Sequence, residues 1–179
     1  MRHLTSWTLL LDRVVGWLSA AAAAVACVAI VLTTIGITVN AVSRYALNRP
    51  ILFVDEYAQY LLVATFYLGV AYTMRAGRHV SVDMLVGRLG PGARRPLRIA
   101  VSLVGFWAIG LMCWHAWGAF ASTTRSGLVS LTPLETPLSL PFLSVAVGMS
   151  LFVLEIFVDI LKDVVGLERA VGPDPGLQH

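Results

Sequence analysis

Charged residues are scarce in this sequence. Only 13% of its 179 residues are Asp, Glu, Lys or Arg, while 58% are hydrophobic. That composition is too apolar for an ordinary soluble domain of this size. Four stretches carry no charge and are each long enough to cross a bilayer, namely residues 14–43, 57–74, 99–124 and 136–154. The sequence therefore predicts an all-α integral membrane protein with four transmembrane helices, folded as a single domain over residues 1–179.

The predicted spans extend over about 14–42, 52–74, 97–121 and 138–162, so the last three include charged residues near their ends. Asp12 and Arg13 precede a first apolar run that is longer than that of a cleavable signal peptide, so we expect this helix to be retained. The tail at about 167–179 is short and polar and is predicted to be disordered.

Cysteine and histidine are also too few, or too scattered, for several kinds of chemistry. Cys27 and Cys113 both fall in predicted spans, and no CxxC motif exists, so a disulfide, a redox pair and a structural zinc site are not expected. His115 is the only histidine within a span, whereas a haem b site needs paired histidines. No cluster of histidines and acids suggests a metal hydrolase. A membrane enzyme is therefore disfavoured, and no cofactor is expected.

The basic residues predict orientation rather than a nucleic-acid partner. No basic face is interleaved with aromatic residues, which argues against nucleic acid. Arg44, Arg49 and Arg125 would lie on one side of the membrane. The remaining basic residues would lie on the other: Arg2, Arg13, Arg75, Arg78, Arg88, Arg94, Arg95, Arg98, Lys162 and Arg169. By the positive-inside rule, both termini and the middle loop are predicted to be cytoplasmic.

The second predicted span is an apolar helix with charged residues at both ends. Its charge-free part, residues 57–74, would be about 27 Å long, close to the thickness of a bilayer core. Arg44, Arg49, Asp55 and Glu56 precede it, and Arg75, Arg78, His79 and Asp83 follow it. Two interpretations remain open. The charges simply hold the helix ends at the interface, or an Arg44–Glu56 pair pins the hairpin or contacts a partner subunit.

Small and polar residues within the first two spans predict close helix packing. Thr65, Gly69 and Thr73 recur every four residues on one face of the second span. Such strips allow helix backbones to approach closely in a membrane. Gly36 and Asn40 are likewise four apart in the first span. The Asn40 side chain would bond either to a neighbouring helix or to its own backbone.

A short amphipathic helix is predicted between the second and third spans, at about 81–89. Ser81 is a plausible N-cap, and Val82, Leu85, Val86 and Leu89 form one apolar face. This segment is too short to span, so we expect it to lie in the membrane interface. Arg94, Arg95 and Arg98 follow it and suit anionic lipid headgroups. His79 is expected to be structural or capping rather than a proton relay.

Three polar residues in the later spans are candidates for an intramembrane role: His115, Glu155 and Asp159. His115 is expected to reach towards the interface. Glu155 and Asp159 lie one turn apart near the end of the fourth span, where they would pair with Lys162, Arg98 or a basic residue of a partner. The loop at about 125–141 is predicted to face the periplasm, where it would be able to touch a periplasmic partner.

Several of these motifs occur together in one known family. The sequence has Arg44-Tyr45 after the first span, Asp55-Glu56 opening the second, and Leu68-Gly69 within it. Arg75-x-Gly77-x-His79-Val80-x-Val82-Asp83 then follows, with Thr132-Pro133, Pro141 and Gly148 later in the chain. This order resembles the small membrane subunit, of the DctQ type, of tripartite ATP-independent periplasmic (TRAP) transporters. The resemblance covers most of residues 10–165. Family members often have Trp where Phe53 stands, Glu where Asp55 stands, and a Trp within the stretch 65–67.

The resemblance implies a subunit of the bacterial inner membrane that imports nothing by itself. It would assemble with a large membrane subunit of the DctM type and be served by a periplasmic solute-binding protein of the DctP type. Import of organic acids would be driven by sodium, with the substrate and sodium sites in the large subunit and the small subunit as a scaffold. Because the sequence ends at His179 without another hydrophobic block, the large subunit is expected to be a separate chain.

The alternative is a self-contained four-span carrier that works as a homodimer. Such a carrier needs an acidic residue in mid-membrane for coupling, and the acids here lie near the ends of the spans. Neither interpretation predicts a catalytic residue.

Overall fold

The computed structural model describes residues 2–76 and 91–165, and this part of the chain is almost entirely helical. The four helices are α1 (Arg2–Leu47), α2 (Leu52–Arg75), α3 (Pro91–Ser126) and α4 (Ser139–Val165). In the described part the only β-structure is an isolated bridge between Val129 and Pro137 in the α3–α4 loop. The predicted all-α membrane class is confirmed.

Three helices of the described part are long and apolar enough to cross a membrane: Trp7–Leu47, Ile99–Ser126 and Ser139–Val165. The second helix, α2, is not among them. It carries Gln59 together with several tyrosines and threonines, which lower its hydropathy. The count of four spans therefore stays a prediction that depends on α2, whose bounds match the predicted span at 52–74 to within one residue.

The turn between α1 and α2 is built from residues that cannot continue a helix. Asn48 has a φ of 50°, in the left-handed region that asparagine tolerates at the end of a helix. The Arg49 N–H donates to the Ser43 carbonyl at 3.2 Å, and the Ser43 hydroxyl donates to the Arg49 carbonyl at 2.5 Å. Pro50 then lacks the N–H that a helix requires. The chain reverses here, so α1 and α2 form an antiparallel hairpin.

The long helix α1 extends past its predicted span at both ends. Its 46 residues would measure about 69 Å at about 1.5 Å per residue, more than twice the thickness of a bilayer core. It runs through Asp12 and Arg13 without a break. As a result Asp12 lies on a helix that packs against the rest of the bundle, although the predicted span begins only at about residue 14.

The central element is α4, which contacts α1, α2 and α3, whereas α3 contacts only α4 among the described helices. Small residues line these contacts, including Ala26 on α1, Ala71 on α2 and Ala146 on α4, all of them buried. Gly148 of α4 lies directly against the Tyr67 backbone of α2, where a Cβ atom would overlap the carbonyl. Small side chains therefore let the helices approach closely, as in other membrane bundles.

Several predicted features lie outside the described residues. They are the interfacial helix at about 81–89, with Gly77, His79 and Asp83, and the tail at about 167–179. Arg94, Arg95 and Arg98 belong to the first turns of α3. The predicted contacts of these arginines with lipid headgroups stay predictions, as do the predicted subunit contacts of Gly77, His79 and Asp83.

Candidate functional site: polar clusters at the two ends of the bundle

Five polar residues from three helices meet at the end of the bundle where α1 begins and where α2 and α4 end. We call them the ion-pair cluster: Asp12, Ser19, Arg75, Glu155 and Lys162. Arg75 is its centre, because its Nη1 lies 3.3 Å from Glu155 Oε2 and its Nη2 lies 3.0 Å from Asp12 Oδ1. One guanidinium on α2 is thereby paired with a carboxylate on α1 and another on α4.

Glu155 is the most deeply buried member, with only 2% of its side chain exposed. The Ser19 hydroxyl, also fully buried, donates to Glu155 Oε1 at 2.5 Å. A carboxylate taken out of water is costly unless it is paired and hydrogen-bonded. Arg75 and Ser19 together meet that requirement, so Glu155 fixes the position of α4 against both α1 and α2.

Lys162 closes the cluster from the last turn of α4. Its Nζ lies 2.6 Å from Asp12 Oδ1 and 4.0 Å from an oxygen of Asp159. Asp12 is consequently shared by two cations from different helices. The Arg75 guanidinium also lies against Gly16, where a Cβ atom at less than 3 Å would displace it. Gly16 leaves room for the side chain that joins α2 to α1.

The opposite end of α1 and α2 carries a second group, the hairpin cluster, formed by Asn40, Arg44, Ile51 and Asp55. Asn40 is buried, donates from Nδ2 to Asp55 Oδ1 at 2.8 Å, and accepts the Ile51 N–H at 2.8 Å. Asn40 was predicted to bond either to a neighbouring helix or to its own backbone, and in the structure its side chain bonds to α2. Its amide also satisfies an N–H at the start of α2 that the helix itself leaves unpaired.

The cation at the end of α1 pairs with Asp55 and not with Glu56. Arg44 Nη2 lies 2.8 Å from Asp55 Oδ2, and about half of each side chain is exposed. Neighbouring Tyr45 is exposed as well. The pair therefore sits on the surface of the hairpin, where solvent or headgroups screen it.

Glu56 instead anchors the α3–α4 loop. It is buried, and its Oε1 accepts the Tyr60 hydroxyl at 2.7 Å. The Thr132 hydroxyl donates to the other carboxylate oxygen, and Ser130 Oγ lies 3.1 Å from Thr132 Oγ1. A residue near the start of α2 thereby holds a loop that is distant in the sequence. We call Glu56, Tyr60 and Thr132 the loop anchor.

The predicted packing strip of α2 is only partly used within the chain. Thr65 lies 3.4 Å from the Ala26 carbonyl of α1 and donates to the Leu61 carbonyl of its own helix. Gly69 has no atom within 4 Å of the place where a Cβ would stand, and Thr73 is exposed. On α1, Gly36 faces Val54 of α2 at ordinary contact distance. The strip therefore begins at the α1 contact and continues onto an open surface.

His115 is exposed on α3, away from both clusters. The seam between α3 and α4 is polar at one point, where the Trp117 indole donates to Ser150 Oγ at 2.9 Å and Cys113 Sγ lies 3.5 Å from the same oxygen. Across residues 2–76 and 91–165, no group of three or more His, Cys, Asp or Glu residues is arranged to hold a metal ion.

The roles of Asp12 and Ser19 are not predicted by the sequence, and neither is the pairing of Arg75 with Glu155. One signal was present. Small or polar residues, with Val15 as the one larger apolar member, recur along α1 in alternating steps of three and four, at Thr8, Asp12, Val15, Ser19, Ala22, Ala26, Ala29, Thr33, Gly36 and Asn40. That is the spacing of a helix seam, and most of these residues are buried. Asp12 and Ser19 fall on the same seam as Gly36 and Asn40.

Comparison with known proteins finds sequence relatives of this chain in one family. The family model for the DctQ component of the tripartite ATP-independent periplasmic transporters matches residues 33–166. An ectoine TRAP transporter small permease protein, TeaB, of Halomonas elongata is 33% identical over 64 residues, which cover 36% of this chain and 33% of the relative. A Haemophilus influenzae protein with the provisional name TRAP transporter small permease protein is 30% identical over 79 residues, covering 44% of this chain and 49% of the relative.

These alignments span from a third to a half of the length of each relative. The family model, in contrast, covers most of this chain, including α2, α4 and the motifs around Arg44, Asp55 and Arg75. The resemblance seen in the sequence is confirmed, and the chain belongs to the DctQ family of small membrane components of TRAP transporters.

Proposed function

We propose that this protein is the scaffold subunit of a sodium-coupled TRAP importer of organic acids. It would assemble in the bacterial inner membrane with a large DctM-type subunit, and a periplasmic DctP-type protein would deliver the substrate. In this role the chain contributes a fixed body against which the moving part of the large subunit works. It binds neither sodium nor substrate itself.

The observation that carries this proposal is the complete engagement of Glu155. A self-contained carrier would need an acid that is free to load and release a coupling ion. Glu155 is instead buried between Arg75 and Ser19, so its charge is used to join helices. A body whose helices are tied by buried ion pairs suits a static role better than a rocking one.

We further propose that the open part of the Thr65–Gly69–Thr73 strip faces the large subunit. Gly69 has empty space beside it, and Thr73 is exposed. In a membrane, close backbone approach at such a strip favours helix association. Exposed Arg44 and Tyr45, which belong to the family motif, would extend this contact at the hairpin end.

The orientation that follows from the basic residues has both termini in the cytoplasm. The ion-pair cluster would then lie in the cytoplasmic half of the bundle. The hairpin cluster and the loop anchor would lie towards the periplasm, where the solute-binding protein arrives.

Co-purification tests the scaffold role directly. The chain is tagged at its C-terminus, expressed from its native operon, extracted in a mild detergent, and analysed for bound proteins. We expect a large multi-span membrane protein in stoichiometric amount. A stable homodimer without another subunit would contradict the proposal and would make Glu155 and His115 the first residues to alter in a transport assay.

Replacing Gly69 with Leu tests the proposed contact surface. The larger side chain would block close approach, so the yield of the complex should fall while the helical content of the isolated chain is unchanged. Gly105→Leu is the matched control, because Gly105 is also open but lies on α3, which does not contact α2 among the described helices. Equal yields from the two variants would rule out the strip as the contact.

A further inference from the structure

The loop between α3 and α4, residues 127–138, is ordered by hydrogen bonds within its own backbone. Ser130 N–H donates to the Thr136 carbonyl at 2.9 Å, and Leu138 N–H donates to the Leu128 carbonyl at 3.1 Å. Together with the bridge between Val129 and Pro137, these bonds make a small hairpin. The loop anchor then fixes the hairpin to α2 through Thr132 and Glu56.

The side chains of this hairpin are arranged in the opposite way from those of a loop in water. Its hydroxyl residues are turned inward: Thr136 is buried, while Ser130 and Thr132 are half-buried near Glu56. Its apolar residues are turned outward, with Leu131 fully exposed at the tip and Leu128, Val129 and Leu134 also exposed. Exposing these apolar side chains is unfavourable in water, whereas the hydroxyls of Ser130 and Thr132 can be buried because they are hydrogen-bonded. The pattern indicates that the medium around the hairpin is apolar.

The position of the hairpin along the bundle agrees with this. The first charged residue of α4 is Glu155, and its only lysine is Lys162. If one boundary of the hydrocarbon core lies between them, the other lies roughly 20 residues earlier, at about residues 135–142. Arg125 is exposed at the end of α3, immediately before the hairpin, where an arginine reaches headgroups. The hairpin therefore lies at the level of the lipid headgroups and not far above them.

We propose that this hairpin is a membrane anchor that inserts Leu131, with Leu128 and Leu134, into the boundary between headgroups and acyl chains. Apart from Gly127 and Glu135, the exposed residues of the hairpin are Leu, Val and Pro, and the tip has none of the Trp, Tyr or Arg side chains that dominate protein-binding hot spots. Lipid is therefore a better occupant than a protein. Such anchors bury their apolar side chains about 5–10 Å into the boundary region. The proposal is independent of the orientation of the chain and of the partner subunits.

Spin-label accessibility tests the anchor in the full-length chain. Cys27 and Cys113 are replaced with alanine, and a single cysteine is introduced by Leu131→Cys and carries a nitroxide. The chain is reconstituted in vesicles of phosphatidylethanolamine and phosphatidylglycerol. Accessibility to oxygen, which concentrates in lipid, is compared with accessibility to a water-soluble nickel chelate.

Two control positions bracket the result. Glu135→Cys places the label on the same hairpin at an exposed charged residue, and Leu111→Cys places it at an exposed residue within the apolar part of α3. We expect the ratio of oxygen to nickel accessibility at position 131 to exceed that at position 135 by about threefold, and to fall below that at position 111. Leu134→Cys gives a second reading on the same hairpin if the first variant is poorly folded.

Equal ratios at positions 131 and 135 would show that the tip faces water, which would overturn the proposal. Low accessibility to both reagents at position 131 would show that protein covers the tip. That result would also overturn the proposal, in favour of a second copy of the chain as the occupant.

Discussion

The ion-pair cluster and the hairpin cluster use the same chemistry in different surroundings. Each pairs an arginine with a carboxylate across two helices, at 3.3 Å for Arg75 and Glu155 and at 2.8 Å for Arg44 and Asp55. The shorter pair is the more exposed, with 48% and 52% of its side chains accessible, against 28% and 2% for the longer pair. By distance alone, the Arg44–Asp55 pair would rank as the stronger of the two.

Burial and connectivity rank them in the opposite order. An exposed ion pair contributes little, because solvent and salt already stabilise both charges. A buried charge that loses its partner is left uncompensated, which is costly. The ion-pair cluster also joins three helices from distant parts of the sequence, whereas the hairpin cluster joins two neighbours that a short turn already connects. The first is expected to determine the tertiary structure and the second to refine it.

The largest effect is expected from Glu155→Gln. The substitution keeps the shape and the contact with Ser19, but it leaves Arg75 with Asp12 as its only carboxylate in the described part of the cluster. We expect the free energy of unfolding in mixed detergent micelles to fall by about 3 kcal/mol, at the low end for a broken buried pair because Asp12 remains. Glu135→Gln, at an exposed acid, is the control. If both variants lose the same amount, burial does not distinguish the sites.

A smaller loss is expected from Gly148→Ala, which pushes α2 and α4 apart. The new methyl group would overlap the Tyr67 backbone, which cannot move aside as a flexible side chain can. Separation of the helices would also lengthen the contact between Arg75 and Glu155. We expect a loss of about 2 kcal/mol in the same unfolding measurement.

Gly69→Ala is the matched control on α2, because nothing lies within 4 Å of its added methyl group. Its unfolding free energy should not fall, because no clash opposes the higher helix propensity of alanine. Wild-type stability in Gly148→Ala would mean that the two helices are not in close contact in the folded protein.

Asn40→Ala tests the buried part of the hairpin cluster and should cost about 1 kcal/mol. It removes the bond to Asp55 and leaves the Ile51 N–H unpaired at the start of α2. Because the turn still connects α1 and α2, the bundle should stay assembled. Thr38→Ala, whose hydroxyl bonds only to its own helix at an exposed position, provides the baseline. A loss as large as that of Glu155→Gln would contradict the ranking of the two clusters.

The smallest effect is expected from Asp55→Asn, below about 1 kcal/mol. The substitution removes the charge that faces Arg44 but keeps an oxygen able to accept the Asn40 bond. Repeating the unfolding measurement at high salt separates the charge effect, because screening should reduce the difference from the unaltered chain. A difference that does not depend on salt would show that the pair is shielded from solvent.

The position of the hairpin cluster between α1 and α2 could be predicted because its residues are close in the sequence. The turn at Asn48 and Pro50 brings the end of α1 beside the start of α2, so an arginine near an acidic pair was expected. The predicted partner, Glu56, was wrong, because the choice between Asp55 and Glu56 depends on the α3–α4 loop. Thr132 supplies a hydroxyl for Glu56, and that loop lies 76 positions further along the chain.

The ion-pair cluster could not be predicted because it depends on which helices are neighbours. Arg75 and Glu155 are separated by 80 positions, and charge-free runs predict spans without predicting their arrangement. The sequence predicts that the first span begins after Asp12, so Asp12 is not expected to take part in helix packing. The central place of α4 is set by contacts at small residues such as Ala146 and Gly148, which many helix arrangements would accommodate.

A pair of double-mutant cycles compares the two ion pairs directly. One combines Arg75→Met with Glu155→Gln, and the other combines Arg44→Met with Asp55→Asn, with unfolding free energies measured under identical conditions. We expect a coupling energy of about 2 kcal/mol for Arg75 with Glu155 and below about 0.5 kcal/mol for Arg44 with Asp55. Equal coupling energies, or a larger one for the Arg44 pair, would contradict the claim that the buried ion-pair cluster holds this bundle together.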